Sequence, residues 1–134
     1  MSYRGWRRNG TKYNATKCVV DGIQFDSRKE ANYYCELKLL LRAGEISNLE
    51  LQKKFELIPA QYEPDTTEIT KTGKTRIVKG KCIERAVYYI CDFAYTDNRT
   101  GKQVVVDVKG FKPKEYLLKR KMFLYKYGFP ITEV

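Results

Sequence analysis

The sequence predicts one α/β domain: a short hairpin, then a helix, three strands, a second helix and a final strand in a mixed central sheet flanked by helices. Three observations carry this. Ser27, with Glu30 three residues on, opens a run with helical apolar spacing. The β-prone stretches 82–95 and 103–109 flank Asp97-Asn98-Arg99-Thr100-Gly101, a hairpin-turn signature. Residues 114–127 return to helical spacing and stop at Gly128.

Taken in order, 18–25 predicts the opening hairpin, because Asp21-Gly22 supplies the residues a tight primed turn prefers. Ser27 is then an N-cap, and Ala31, Tyr34, Cys35, Leu37, Leu39, Leu40 and Leu41 form the expected buried stripe up to a C-cap at Gly44. Residues 49–58 suggest one strand entering the sheet before Pro59. The segment 59–81 is polar and rich in threonine, lysine and glycine, with a turn at Thr72-Gly73-Lys74; it is either a surface loop or a protruding hairpin. In the second helix Leu117, Leu118, Lys121, Leu124 and Tyr125 are expected on one side. Residues 130–134 complete the set as a short strand.

The 134 residues suffice for one modest core, so 17–134 reads as a single domain. A net charge of +10 favours an anionic partner, nucleic acid first. No stretch is apolar for long enough to span a membrane, and the N-terminus lacks the apolar core of a secretion signal, so a cytoplasmic protein is expected. Residues 1–16 place Arg4, Arg7, Arg8 and Lys12 among Tyr3, Trp6 and Tyr13, which suits either a flexible basic leader or an arm along a phosphate backbone. Without histidine, and with Cys18, Cys35, Cys82 and Cys91 forming no CxxC pair, a zinc finger or a histidine-based nuclease is excluded. The cysteines read most simply as small buried hydrophobes. Base and metal-ligand chemistry then falls to carboxylates, lysine, tyrosine or bound water.

One run carries the chemistry. In Val104-Val105-Val106-Asp107-Val108-Lys109-Gly110 the strand period of two sends Asp107 and Lys109 to one side and Val106 and Val108 to the other. If the preceding hairpin is centred between Arg99 and Thr100, Asp92 faces Asp107, and directly opposed residues have Cβ atoms about 4.5 to 5.5 Å apart. Two carboxylates at that spacing repel each other, and a divalent cation between them turns repulsion into binding. Magnesium suits the pair, since it takes oxygen ligands and is commonly held by one or two carboxylates together with waters. Lys109 would position water or neutralise growing charge. The plainer readings are a solvated sheet edge or a salt bridge to Lys109, and for Glu30 a capping carboxylate. Lys29, Tyr34 and Lys38 lie close enough to Glu30 along the helix to flank a substrate, or are ordinary packing and solvated charge.

With these residues in place the chain resembles the PD-(D/E)xK nuclease superfamily, whose restriction-endonuclease-like core has an acid on the first helix, an aspartate on the second strand and a D/E-x-K element on the third. Glu30, Asp92 and Asp107-Val108-Lys109 match those positions, and Cys91 replaces the proline of the superfamily's name. The phrases Lys12-Tyr13-Asn14-Ala15, GIQFDSRKEANYYCE from Gly22, YICDFAY from Tyr89 and VDVKGF from Val106 are similar to a formerly uncharacterised family of small phage- and prophage-encoded, Holliday-junction-resolvase-like endonucleases. The resemblance implies Mg2+- or Mn2+-dependent cleavage of DNA phosphodiester bonds, on branched or duplex DNA, by a homodimer. It implies catalysis by Glu30, Asp92, Asp107 and Lys109, with the metal on the three acids. The basic arm, Arg76, Lys112, Lys114, Lys119 and Arg120 would guide DNA, and Phe123, Tyr127 and Phe129 are either dimer contacts or core. The competing readings are a non-catalytic basic DNA-binding protein, a structural or regulatory phage protein with an acidic partner, and, among nucleases, a nicking or general duplex endonuclease.

Overall fold

The computed structural model describes residues 17–134, so the expectations for Arg4, Arg7, Arg8 and Lys12 lie outside the described residues. Asp21 and Gly22 both take positive φ, 53° and 75°, the mirror-image turn whose twist matches its flanking strands. β1 (Cys18–Val20) and β2 (Ile23–Phe25) therefore pair antiparallel across it. Ser27 then caps α1 (Arg28–Arg42), its Oγ accepting the Glu30 N–H at 3.1 Å. At the other end the Glu45 N–H donates to the Leu40 carbonyl and the Gly44 N–H to that of Leu41, a Schellman closure that requires the positive φ of Gly44. Ala31, Tyr34 and Leu37 are buried as expected, but Cys35 and Leu39 are exposed. At about 100° per residue those two fall outside the arc shared by Glu30, Tyr34, Leu37 and Leu41.

Where the sequence suggested one strand over 49–58 there are two, β3 (Ile46–Leu51) and β4 (Lys54–Ile58). Gln52, with φ 52°, breaks the run between them. The polar segment that follows is a ladder of two short antiparallel pairs. β5 (Gln61–Tyr62) pairs with β8 (Cys82–Glu84), and β6 (Thr66–Ile69) with β7 (Thr75–Val78). The remaining elements are β9 (Val87–Ile90), β10 (Phe93–Asp97), β11 (Lys102–Asp107), α2 (Lys114–Tyr127) and β12 (Thr132–Glu133). The stretch 82–95, read as one β-prone run, is thus cut twice, the second time at Cys91 and Asp92.

The main sheet has the order β12-β11-β10-β3, with β10 antiparallel to both neighbours and β12 parallel to β11. The fold is thus mixed α/β with a mostly antiparallel sheet. Register places Phe93 opposite Val106 and Ala94 opposite Val105. The first pair packs with Phe25, Tyr34 and Leu37 on the α1 side, the second with Tyr116, Phe123 and Ile131 on the α2 side. β4 and β9 form a second small sheet under α2, tied by the Tyr127 hydroxyl donating to the Glu56 carbonyl at 2.7 Å and by Phe55 edge-on to Phe123 at 5.2 Å.

The buried face of α2 is not the one expected. Tyr116 and Phe123 point inward with Tyr127 half-buried, whereas Leu118, Leu124 and Tyr125 are exposed, Tyr125 at 93%. The helix is apolar on more than one side, and the aromatic side buries more area per residue. Phe123 is therefore core, and Tyr127 and Phe129 are partly buried against it. Among the cysteines only Cys91 is buried; Cys35 and Cys82 are exposed, and no two of the four are joined by a disulfide. No helix of the described residues is long and apolar enough to cross a membrane.

Candidate functional site

The interruption at Cys91 and Asp92 is where the chain passes from the small sheet to the main one. The Cys91 N–H donates to the Lys53 carbonyl at 3.0 Å, still alongside β4, and the next residue changes partners. The Asp92 N–H donates to Val106 and its carbonyl accepts from Gln52, both at 3.1 Å. The register expected from the turn holds from Asp97 opposite Lys102 to Phe93 opposite Val106 and ends one step short of Asp92 and Asp107. Two boundaries differ from expectation: Asp92 precedes β10 instead of lying within it, and Lys109 lies two residues beyond the end of β11.

Asp107 is 2% exposed, so it does not sit on a solvated sheet edge. Its Oδ2 accepts from the Tyr89 hydroxyl at 2.6 Å. Its Oδ1 is buried without a hydrogen bond and faces Lys109 Nζ at 3.5 Å. The same ammonium lies 4.9 Å from the centre of the Tyr116 ring, which limits where it can swing. Asp92 is held by its own strand environment: Oδ2 accepts the Val108 N–H at 2.7 Å and Oδ1 accepts Gln52 Nε2 at 3.4 Å.

Glu30 reaches the same place from the other side of the sheet. It is 7% exposed, and with Asp26, Lys29, Asp92, Lys109 and Phe111 it lines a cleft of about 530 Å³ at the end of β11. Burial, then the fields of Asp92, Asp26 and Asp107, push the Glu30 carboxyl up to about 7, against the lowering effect of Lys109. Burial also lifts Asp92 to about 6; the Val108 N–H opposes this, and the nearby Asp107 carboxylate adds to it. Tyr89 is displaced upward by burial and by its bond to Asp107, so it stays a hydrogen-bond donor at neutral pH. Like charges gathered in a low-dielectric place therefore hold protons that a cation would displace.

Whether this set suits a divalent metal turns on its donors. They are all oxygen, and the buried Asp107 Oδ1 has spare acceptor capacity. Among the described residues no three histidine, cysteine or acidic side chains stand close enough to hold an ion by themselves. Two carboxylates plus waters is an ordinary way to hold magnesium, so Asp92 and Asp107 fit it, with Glu30 facing the cleft beside them.

Of the residues expected to meet DNA, Lys29 lines the cleft. Lys112 and Arg120 are both committed to Glu133, whose carboxyl they draw down to about 2. Lys119 pairs with Glu115 at 3.1 Å, and Arg76 pairs with Glu68 across the β6–β7 hairpin. Lys114 is exposed at the start of α2. Tyr34, considered as a substrate flank, is instead buried and donates to Asp21 at 3.1 Å. Tyr89, Tyr116, Gln52 and Asp26 were not singled out by sequence reasoning. Tyr89 looked like one more aromatic in a β-prone run, and its bond to Asp107 joins two different sheets, which no local pattern announces.

No curated protein and no solved structure matches the chain. A family model described as a protein of unknown function, DUF1064, matches residues 10–130. That span takes in the hairpin, both helices and every acid of the cleft, and the chain belongs to the DUF1064 family.

Proposed function

We propose that this protein is a divalent-metal-dependent DNA endonuclease of the PD-(D/E)xK type, with a restriction-endonuclease-like core. The observation that carries the reading is the buried Asp107 carboxylate. One oxygen is held by Tyr89, the other lies free of hydrogen bonds beside Lys109, and Asp92 stands close by with its Oδ2 on the Val108 N–H. A structural salt bridge needs none of the additional acids that converge here, and their mutual repulsion is a cost without a cation.

Asp92 and Asp107 would hold the metal, Mg2+ or its substitute Mn2+, with Glu30 as a further ligand or as the orienter of a hydrated ion. The bound ion would supply a more acidic coordinated water and charge neutralisation at the scissile phosphate. Tyr89 fixes the rotation of the Asp107 carboxylate, so that Oδ1 is the oxygen turned toward Lys109. Lys109, restrained by Asp107 and the Tyr116 ring, places its ammonium where charge grows on the phosphate oxygens. Lys29 and Lys114 with the N-terminal cations guide the backbone, so binding weakens with salt and reads little base sequence. Branched DNA, such as a four-way junction, is the proposed substrate and a homodimer the proposed assembly, because two opposed strands need two symmetric sites.

A cleavage panel decides between this and a non-catalytic DNA-binding protein. Linear duplex, single-stranded, flapped and four-way-junction DNA are incubated with Mg2+, Mn2+ or chelator, using wild type, Asp107→Asn and Lys109→Ala. Metal-dependent cutting that both substitutions abolish in folded protein is the expected result. Binding without cutting of any substrate would overturn the nuclease reading, as would folded variants that cut at the wild-type rate.

A further inference from the structure

The β6–β7 hairpin carries two large apolar side chains in the open. Ile69 is 80% exposed and Ile77 69%. The register sets Thr67 opposite Ile77 and Ile69 opposite Thr75, so the two isoleucines are diagonal neighbours on one face of the ribbon. The other face carries the Glu68–Arg76 ion pair with Thr66 and Val78. The one acid of 66–81 is thereby neutralised away from the isoleucines, while Lys71, Lys74, Lys79 and Lys81 form no ion pair among the described residues.

The ribbon is built to hold its shape. Its tip is closed by the Thr70 N–H donating to Lys74 and the Gly73 N–H to Thr70, with Thr70 and Thr72 hydroxyls 3.0 Å apart. At its base a Cβ on Gly80 would stand 1.7 Å from the Glu63 carbonyl oxygen, so only glycine allows the two linking segments to approach this closely. The Gly80 N–H also donates to Asp65 Oδ1 at 2.9 Å.

We propose that this ribbon is a second DNA-contacting surface: it lies in a groove of duplex DNA with the Ile69/Ile77 face against base edges and its lysines on the flanking phosphates. A two-stranded ribbon fits the major groove, and apolar side chains there meet thymine methyl groups. Charge chooses the occupant. Over the paired segment 63–81 five cations stand against three acids, with Glu63 and Asp65 at the base and Glu68 paired with Arg76, so the outer part is cationic; that complements a polyanion and repels a second copy of the ribbon. The inference rests on DNA being the partner, not on cleavage.

The test is fluorescence anisotropy of a labelled linear duplex in chelator, which removes cleavage from the readout, over a salt series. Ile69→Ser/Ile77→Ser should weaken binding about tenfold with the salt slope unchanged. Lys71→Gln/Lys74→Gln should flatten the slope of log affinity on log salt by about two, one phosphate contact per lysine. Wild-type affinity and slope in both double variants would overturn the ribbon proposal while leaving cleavage by the wild type intact. A wild-type dimer that the isoleucine variant converts to monomer without loss of DNA binding would overturn it in favour of a second copy. No binding by the wild type to any DNA would overturn the ribbon and the nuclease reading together.

Discussion

The cleft and the ribbon depart from the ordinary sorting of side chains in opposite directions. At the end of β11 carboxylates are taken out of water and crowded together; on β6 and β7 isoleucines are left in it. Each arrangement is poor for the folded chain alone. The difference lies in what would repair it: the cleft and its rim gather more acids than Lys29 and Lys109 balance, and the ribbon lacks a surface to cover it. Acids repelling one another respond to a cation and to pH, while an exposed apolar face responds to neither.

The largest effect that could break this contrast is catalytic. Asp107→Asn keeps the shape and the Tyr89 partner but removes the charge, and cleavage should fall by at least about 10³-fold, the equivalent of about 4 kcal/mol. Steady-state cutting of the preferred substrate measures it.

Next is the dependence of stability on pH. Glu30 binds its proton more tightly folded, at about 7, than unfolded, at 4.5, so its contribution is complete below 4.5 and is lost as pH rises to about 7. Asp92 acts in the same sense between 3.8 and about 6. Denaturant unfolding in chelator should show Glu30→Gln removing a loss on the order of 3 kcal/mol across that window. Added Mg2+ should stabilise the wild type more at pH 8 than at pH 5, with proton release on binding seen by calorimetry in two buffers. Equal stabilisation at both values would break the link between the acids and the metal.

Tyr89→Phe removes a hydrogen bond to a buried carboxylate and should cost about 2 kcal/mol, with Mg2+ affinity falling as the Asp107 carboxylate is freed to rotate. Thermal unfolding with and without Mg2+ separates the two effects. The smallest effect belongs to the ribbon: Ile69→Ser/Ile77→Ser should leave stability within about 0.5 kcal/mol, because no side chain is uncovered from the core. A larger loss would mean that the ribbon packs against something in the free protein, and the contrast with the cleft would fail.

Much of this was written locally. The Asp21-Gly22 turn, the Ser27 cap, the Gly44 and Gly128 stops and the β10–β11 hairpin register each depend on residues close together in the chain. Steric and hydrogen-bonding rules that act over a few residues are readable from a few residues. The breaks at Gln52 and at Cys91-Asp92 were not, since both exist because the chain changes partners between two sheets, which is a property of the assembled strands. The same holds for the face of α2 that goes inward: periodicity allowed more than one side, and Phe55 and Tyr89 on other strands selected the aromatic one. For the site, residue types and spacing marked Asp107 and Lys109. Only packing in three dimensions could withdraw Asp107 from water, set Tyr89 and Tyr116 around it and bring Glu30 across from α1, because burial and field strength depend on neighbours far apart in the chain.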